Sequence, residues 1–223
     1  MRKDFGITKA LKEININIDN FLSLVGPNGA GKTTLIKILS TTMKPTSGTA
    51  EINGVDIKKE PIKVREQIGV VSHQTYLYRD LTAKENLKFY ARMYDIPKPE
   101  KRIKKLVTDH NLEKRLNDRV SEYSRGMKQK LSIIRALLHE PKVLLLDEPY
   151  TGLDQHANER LKNTLANFKD KTIIQTTHDL NRALEIGKQI AILSNGKIVY
   201  KTQKNDLDPI RFREIYEKKV KKR

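Results

Sequence analysis

Residues 26–33 read GPNGAGKT and are followed by Thr34. The spacing G-x-x-x-x-G-K-[ST] suits one task, which is to hold a chain of phosphates. Gly26, Gly29 and Gly31 allow backbone torsions and a close approach that a side chain with a Cβ denies. The N–H groups of this loop, which also contains Pro27, Asn28 and Ala30, then point at anionic oxygens together with the start of the next helix. Lys32 offers a cation to β- and γ-phosphates, Thr33 a hydroxyl to Mg²⁺, and Thr34 a hydroxyl to an α-phosphate oxygen. A glycine turn entering an ordinary helix is the bland alternative. Here the loop follows the apolar run FLSLV and opens TTLIKILS, the context that the phosphate reading requires.

A second stretch supplies carboxylates. Residues 143–149 read VLLLDEP, so Asp147 sits where an apolar strand emerges, a position suited to organising Mg²⁺. Glu148 is not needed for the metal and is placed to take a proton from an attacking water, which is general-base work. Gln74 and His178 follow two further apolar runs. The amide oxygen of Gln74 can contact Mg²⁺ or water, and a neutral His178 can donate to a γ-phosphate. Alone, either residue reads as an ordinary turn residue; their order and strand-end placement give them weight.

These residues need a frame. Four short apolar runs, residues 21–25, 68–71, 143–146 and 172–174, are continuous rather than alternating, as in strands buried on both faces of a parallel sheet. Helix-like stretches separate them, so the class is α/β. Ligands of open parallel sheets bind beyond the carboxyl ends of the strands, where GPNGAGKTT, SHQ, DEP and QTTHD all lie. Residues 81–138 are rich in helix formers and too long for a simple crossover, which predicts an inserted helical lobe. SGTAEINGVDI (47–57) and KQIAILSNGKIVYK (188–201) predict hairpins, the second with an Asn195-Gly196 turn, and so a smaller antiparallel layer.

At the end of the helical block, residues 123–130 read YSRGMKQK. Ser124 can cap a helix, and Met127, Leu131, Ile134 and Leu138 give it a 4-3-4 apolar stripe. The chain has 44 Lys and Arg against 27 Asp and Glu, a formal charge of +17, which favours anionic partners without choosing among nucleotide, nucleic acid and membrane surface. There are no cysteines, which excludes disulfides, thiolate metal sites and cysteine nucleophiles. No run approaches the roughly 18 apolar residues of a membrane span, and the start MRKDFGITKA has no apolar core of the secretory kind. The closing KKVKKR reads as a solvated charge run.

Together these motifs, in this order, resemble the ABC-type ATPase subunits over nearly the whole chain. GPNGAGKT is similar to the family's Walker A loop, VLLLDEP to its Walker B strand, Gln74 to its Q-loop glutamine, TGLD (151–154) to its D-loop with Asp154, and His178 to its switch histidine. YSRGM stands where the family carries LSGGQ, and Phe5 where it often has an adenine-stacking tyrosine. The resemblance implies a P-loop NTPase core over residues 1–80 and 139–223, with a small antiparallel layer and a helical subdomain over 81–138. It also implies that two copies pair head to tail around two ATP molecules with Mg²⁺ bound. Ser124, Arg125, Gly126 and Met127 would face the partner subunit's ATP, and Glu148, His178 and Gln74 would act in hydrolysis. Residues 74–81 and the helical lobe would grip integral membrane subunits at the inner face of the cell membrane.

A narrower resemblance, carried by SHQTYLYRDLTAKENLKFYARMY and SRGMKQKLSIIRALLHEPKVLLLDEPYTGLD, is to export ATPases: those for drugs and polysaccharides, and the ATP-binding subunit of the cytochrome c biogenesis haem exporter. The alternative is a soluble ABC ATPase acting on nucleic acid or ribosomes, which the charge allows. The single ATPase unit and the lack of an RNA-binding aromatic motif speak against nucleic acid. Two departures stand out. Arg125 and Met127 replace glycine and glutamine, and the family's first strand is expected to be short or missing, leaving a sheet edge less covered.

Overall fold

The computed structural model describes residues 1–72, 74–168 and 171–220. Its strands, in chain order, are β1 (Lys3–Phe5), β2 (Thr8–Leu11), β3 (Phe21–Val25), β4 (Glu51–Ile52), β5 (Val55–Asp56), β6 (Ile68–Val71), β7 (Val143–Asp147), β8 (Thr172–Thr177), β9 (Gln189–Ser194) and β10 (Lys197–Gln203). The helices are α1 (Lys32–Leu39), α2 (Pro61–Gln67), α3 (Ala83–Met93), α4 (Pro99–Asp109), α5 (Arg125–Leu137), α6 (Gln155–Ala166), α7 (Leu180–Ile186) and α8 (Pro209–Val220).

Six strands form one sheet in the order β10-β9-β3-β8-β7-β6, parallel except where β9 meets β10. Continuous apolar sequence is what such strands need, because alternate residues enter different cores. In β7, Leu144 and Leu146 join a cluster with Leu87, Leu131 and Ile134 from α3 and α5. Val143 and Leu145 join another with Leu35, Ile36 and Ile38 of α1. Each fully buried Leu or Ile contributes about 1.5–3 kcal/mol by leaving water, so helices are held on both faces of the sheet.

The four predicted strands are therefore β3, β6, β7 and β8, and they stand side by side as β3-β8-β7-β6. The antiparallel layer is smaller than expected. The 188–201 hairpin forms with a turn at Asn195 (φ 50°) and Gly196 (φ 76°), but β9 pairs parallel with β3, so this hairpin extends the main sheet. The apolar face of IAIL is buried at every residue and belongs to the core. The separate antiparallel pairs are β4–β5, the hairpin predicted over 47–57, and β1–β2.

Met1 exchanges two main-chain bonds with Ile14, both 2.8 Å, and Arg2 N donates to Ser47 O at 2.9 Å. Beyond Met1, residues 14–19 and 49–54 face each other across a cavity of about 550 Å³. The cavity is also lined by Val143 of β7 and by Thr172 and Ile174 of β8, strands inside the sheet rather than at its edges.

The helical block begins with a reciprocal cap. Glu85 N donates to Thr82 Oγ1 at 3.1 Å, and Thr82 N donates to Glu85 Oε2 at 2.7 Å, satisfying two main-chain donors that a helix start leaves over. Pro99 starts α4, where its missing N–H costs nothing. Ser124 caps α5, accepting from Met127 N at 3.2 Å, and Leu131, Ile134 and Leu138 of its stripe are buried. Phe212 of α8 is buried against Ile190 and Ile192 of β9. Of the terminal charge run, Lys218 and Lys219 belong to α8, while residues 221–223 lie outside the described residues.

Two histidines should make the fold acid-sensitive. Burial lowers both His110 and His139 from 6.5 to about 4. His139 stacks on Tyr94 with centroids 3.9 Å apart and has Nε2 2.9 Å from Ile68 O. The unfolded chain takes up protons at these sites below about pH 6.5, and the folded chain only near pH 4. Their contribution to stability is thus complete above 6.5 and lost as the pH falls towards 4, on the order of 1–2 kcal/mol each at pH 5. The urea midpoint should fall between pH 7 and pH 5, and His110→Leu should reduce that fall; a midpoint independent of pH over this range contradicts the assignment.

Candidate active site

The strand order brings the candidate residues to one sheet edge. β3 leads into the glycine loop, β8 into His178, and β7 into Glu148, while β6 leads towards Gln74. Gly31 is the hinge of the loop. Its φ of 108° is one that residues with a Cβ rarely adopt, and a Cβ here would lie 2.6 Å from Ala10 O. Gly31 is the N-cap of α1 and offers no side-chain cap, so the first N–H groups of α1 remain available to an anion. The turn at Gly196 braces the loop from below, its N–H donating to Ala30 O at 3.0 Å.

A cavity of about 240 Å³ opens here, lined by the loop from Pro27 to Thr34, by Ala10 and by Glu148. Lys32 is only 7% exposed; its Nζ donates to Gly26 O at 2.6 Å and to Pro27 O at 3.2 Å and stands 3.9 Å from Glu148 Oε1. Burial lowers its pKa, and the charges of Glu148 and Asp147 act against that. Glu148 has φ 50°, a left-handed backbone uncommon for a residue with a Cβ. Two contacts hold it there: its N–H approaches Thr176 O and Thr176 Oγ1, both at 3.2 Å. Its carboxylate meets His178, whose Nδ1 is 3.1 Å from each oxygen. A proton on Nδ1 is donated to the carboxylate.

Asp147 is buried at the end of β7. Thr176 Oγ1 donates to its Oδ1 at 2.5 Å, while its Oδ2 has no hydrogen-bond partner among the described residues. A buried carboxylate oxygen without a partner is costly unless something else satisfies it. The neighbouring cavity of about 220 Å³ is lined by Asp147, Thr33, Ser72 and Gln74. The lining also includes Lys37, Ser40 and Tyr76; the candidate metal donors in it are oxygens, with one carboxylate. The described residues contain no cluster of three His, Cys, Asp or Glu fit to hold a metal. That combination suits Mg²⁺, which binds through one or two carboxylates together with substrate phosphates and waters.

Other candidates lie apart. Phe5 is on β1, is 47% exposed, and has Lys3 Nζ 5.1 Å from its ring centroid. It is not a core residue, and it is Ala10 on β2 that lines the loop cavity. Ser124, Arg125, Gly126 and Met127 line neither the loop cavity nor its neighbour. Asp154 caps α6, accepting from Ala157 N at 2.7 Å, and that bond holds its carboxyl below the usual carboxylate range. Arg125 does not extend into solvent alone: its stem lies across Gly152 of the TGLD turn.

Sequence reasoning passed over Thr176, which binds Asp147 and Glu148 at once. Its signal was present in QTTHD, two polar residues closing an apolar strand. Ala10 and Gly196 carry no such signal, because only tertiary pairing brings them to the loop.

Comparison with known proteins places these features in a wide context. A family model described as ABC transporter matches residues 11–151. The chain is 32% identical over 202 residues to the ABC transporter ATP-binding protein NatA of Bacillus subtilis (strain 168), covering 87% of this chain and 82% of that one. It is 36% identical to the probable sulfate/thiosulfate import ATP-binding protein CysA of Chlorella vulgaris, over 88% of this chain and 86% of that one. Among solved structures, a dimeric ATP-binding cassette in a post-hydrolysis state, bound to ADP and Pi, superposes with a TM-score of 0.83. It is 30% identical and the match covers 91% of this chain and 94% of that one.

Proposed function

This chain belongs to the ABC transporter family as an ATP-binding subunit with ATPase activity, and on that premise we propose that it powers export through integral membrane subunits as one half of a head-to-tail pair. The observation that carries the hydrolytic part is the contact of Lys32, Glu148 and His178 at the mouth of the phosphate loop. Lys32, the loop from Gly26 to Gly31, and the hydroxyls of Thr33 and Thr34 bind the triphosphate. Glu148 accepts the proton of the attacking water as the bond from the γ-phosphorus to the bridging oxygen breaks, and His178 holds the Glu148 carboxylate in place. Thr33, Gln74 and Asp147 would hold Mg²⁺, which when bound neutralises phosphate charge. Phe5 offers an exposed ring to the adenine. Ser124, Gly126 and the capped head of α5 serve the ATP of the partner subunit, beside the turn that contains Asp154.

In this reading residues 1–80 and 139–223 form the nucleotide-binding core and 81–138 the helical subdomain that meets the membrane partner. The surface for that partner follows Gln74. Tyr76, Tyr78, Phe89 and Met93 are large apolar side chains left exposed close together, Tyr78 and Phe89 edge to face at 5.0 Å. Exposed apolar patches of this kind mark interaction surfaces. The patch is rigid: buried Asn86 accepts from Tyr78 N at 2.8 Å and donates to Tyr78 O at 2.9 Å. It is also wired to the sheet. Arg135 lies beside the rings of Tyr76 and Tyr90 and donates to Val70 O at 2.5 Å, at the end of β6. No described helix is long and apolar enough to cross a membrane, so the spanning partner is a separate segment or chain.

Export, rather than import, rests on the resemblance of residues 72–94 and 124–154 to export ATPases; haem is one cargo within that class. The test is affinity capture of the tagged chain from detergent-solubilised membranes. An integral membrane protein should be recovered with it, and Phe89→Glu should release that partner while ATP binding persists. Recovery only with ribosomes or nucleic acid overturns the transporter reading. Uptake rather than extrusion in vesicles rebuilt from the captured complex overturns export.

A further inference from the structure

Arg125 stands where the related signature has glycine, and the structure shows what it touches. A Cβ built on Gly152 would lie 2.8 Å from Arg125 Nε, 3.0 Å from Cδ and 3.1 Å from Cγ. The arginine stem therefore fills the space that the missing side chain of Gly152 leaves. Gly152 has φ 85°, so this turn is open to glycine on conformational grounds as well. Three more contacts join the head of α5 to the same segment. A Cβ on Gly126 would be 3.2 Å from Gly152 O. Gln129 Nε2 donates to Pro149 O at 3.0 Å in a buried bond, and Lys130 Nζ is 4.0 Å from Asp154 Oδ2.

The segment so gripped, residues 149–154, leaves directly from Glu148. We propose that Arg125 is a positioning residue that clamps the Gly152 turn of its own chain, so that Glu148 and the head of α5 shift as one body. This rests on the paired-ATPase reading and deepens it. The residue that takes the proton at one ATP is fixed to the Ser124 hydroxyl and Gly126 N–H that serve the other. A glycine at 125 would leave the turn uncovered on this side. The arginine acts through Gly152 and needs no contact with nucleotide.

The test is a double-mutant cycle on the full chain, read as ATP turnover, as ATP affinity and as urea midpoint. Arg125→Ala should lower kcat by about fivefold or more while ATP affinity stays within about twofold, because a misplaced neighbour costs rate rather than phosphate-loop binding. Arg125→Lys, which keeps the Cγ and Cδ methylenes over Gly152, should recover at least about half of that rate. Gly152→Ala should be more harmful alone than in the Arg125→Gly background, where the colliding stem is gone, giving a coupling of about threefold or more in both kcat and folding equilibrium. Strictly additive effects, or an Arg125→Ala kcat within about twofold of the unmutated chain, overturn the clamp. No turnover in the unmutated chain removes the reading beneath it instead, and the stability cycle still decides whether the contact exists.

Discussion

Glu148→Gln is expected to lower ATP turnover by about 100-fold or more while ATP affinity changes by no more than about threefold. The substitution keeps size and shape but removes the basic oxygen. It also removes the negative charge 3.9 Å from Lys32 Nζ, so the triphosphate meets less repulsion at the same loop. Binding therefore persists, and a pair held together by two unhydrolysed ATP molecules should accumulate. Phosphate release, ATP titration and size-exclusion chromatography with ATP check the three parts. Undiminished turnover would remove Glu148 from its role and leave His178 and water without a base. The left-handed φ of 50° adds a control. Glu148→Gly relieves backbone strain, so it should be at least as stable as the unmutated chain while equally inactive. Loss of activity through unfolding and loss through chemistry then separate cleanly.

Lys32→Ala should act on the opposite side of that division. Charge-assisted hydrogen bonds are worth about 1.5–3 kcal/mol, so ATP affinity should fall roughly 10- to 150-fold, and turnover with it at limiting ATP. The lysine is buried and bonded to Gly26 O and Pro27 O. Its removal leaves those carbonyls short of a donor and Glu148 short of a nearby cation, which should lower stability a little as well. Lys32→Arg should not restore binding, because a planar guanidinium does not fit where a single Nζ is held between two carbonyls. Calorimetric titration with ATP checks both variants, and an unchanged affinity for Lys32→Ala would displace the loop as the phosphate site. One variant that binds without turning over and one that fails to bind together define the site.

The sequence made the chemistry more legible than the assembly that supports it. FLSLV, IGVV, VLLL and TII announced buried strands because a strand covered on both faces has no polar side to show. The glycine loop and the DE pair announced themselves because phosphate and proton chemistry tolerate few substitutes. The strand order β3-β8-β7-β6 was not legible, since pairing joins segments far apart in the chain and leaves no local trace. IAIL in β9 carried the same continuous pattern as the other core strands, yet the Asn-Gly turn after it drew attention to the hairpin and away from the sheet. Thr176 shows the same limit on the scale of one residue: a hydroxyl in a strand is common, and only the neighbouring strand reveals that it bonds Asp147. Arg125 looked like a substitution in a nucleotide-facing motif. Its partner is Gly152, and size complementarity between an arginine stem and a bare glycine cannot be seen from either position alone.

The cavity beside Met1 bears on how the molecule comes apart. Among the described residues, the main chain of residues 15–19 joins no ladder, and Lys201 Nζ to Asn17 O is the bond that reaches it. Amides with so few partners open at small free-energy cost and exchange with solvent well before the core does. The opening has a natural stop. At Asn20 the carbonyl accepts from Ile173 N at 2.7 Å, and β3 is fully paired from Phe21 onward. This corner can therefore fray and reclose many times without carrying the disturbance into the phosphate loop, as a local unfolding unit of its own.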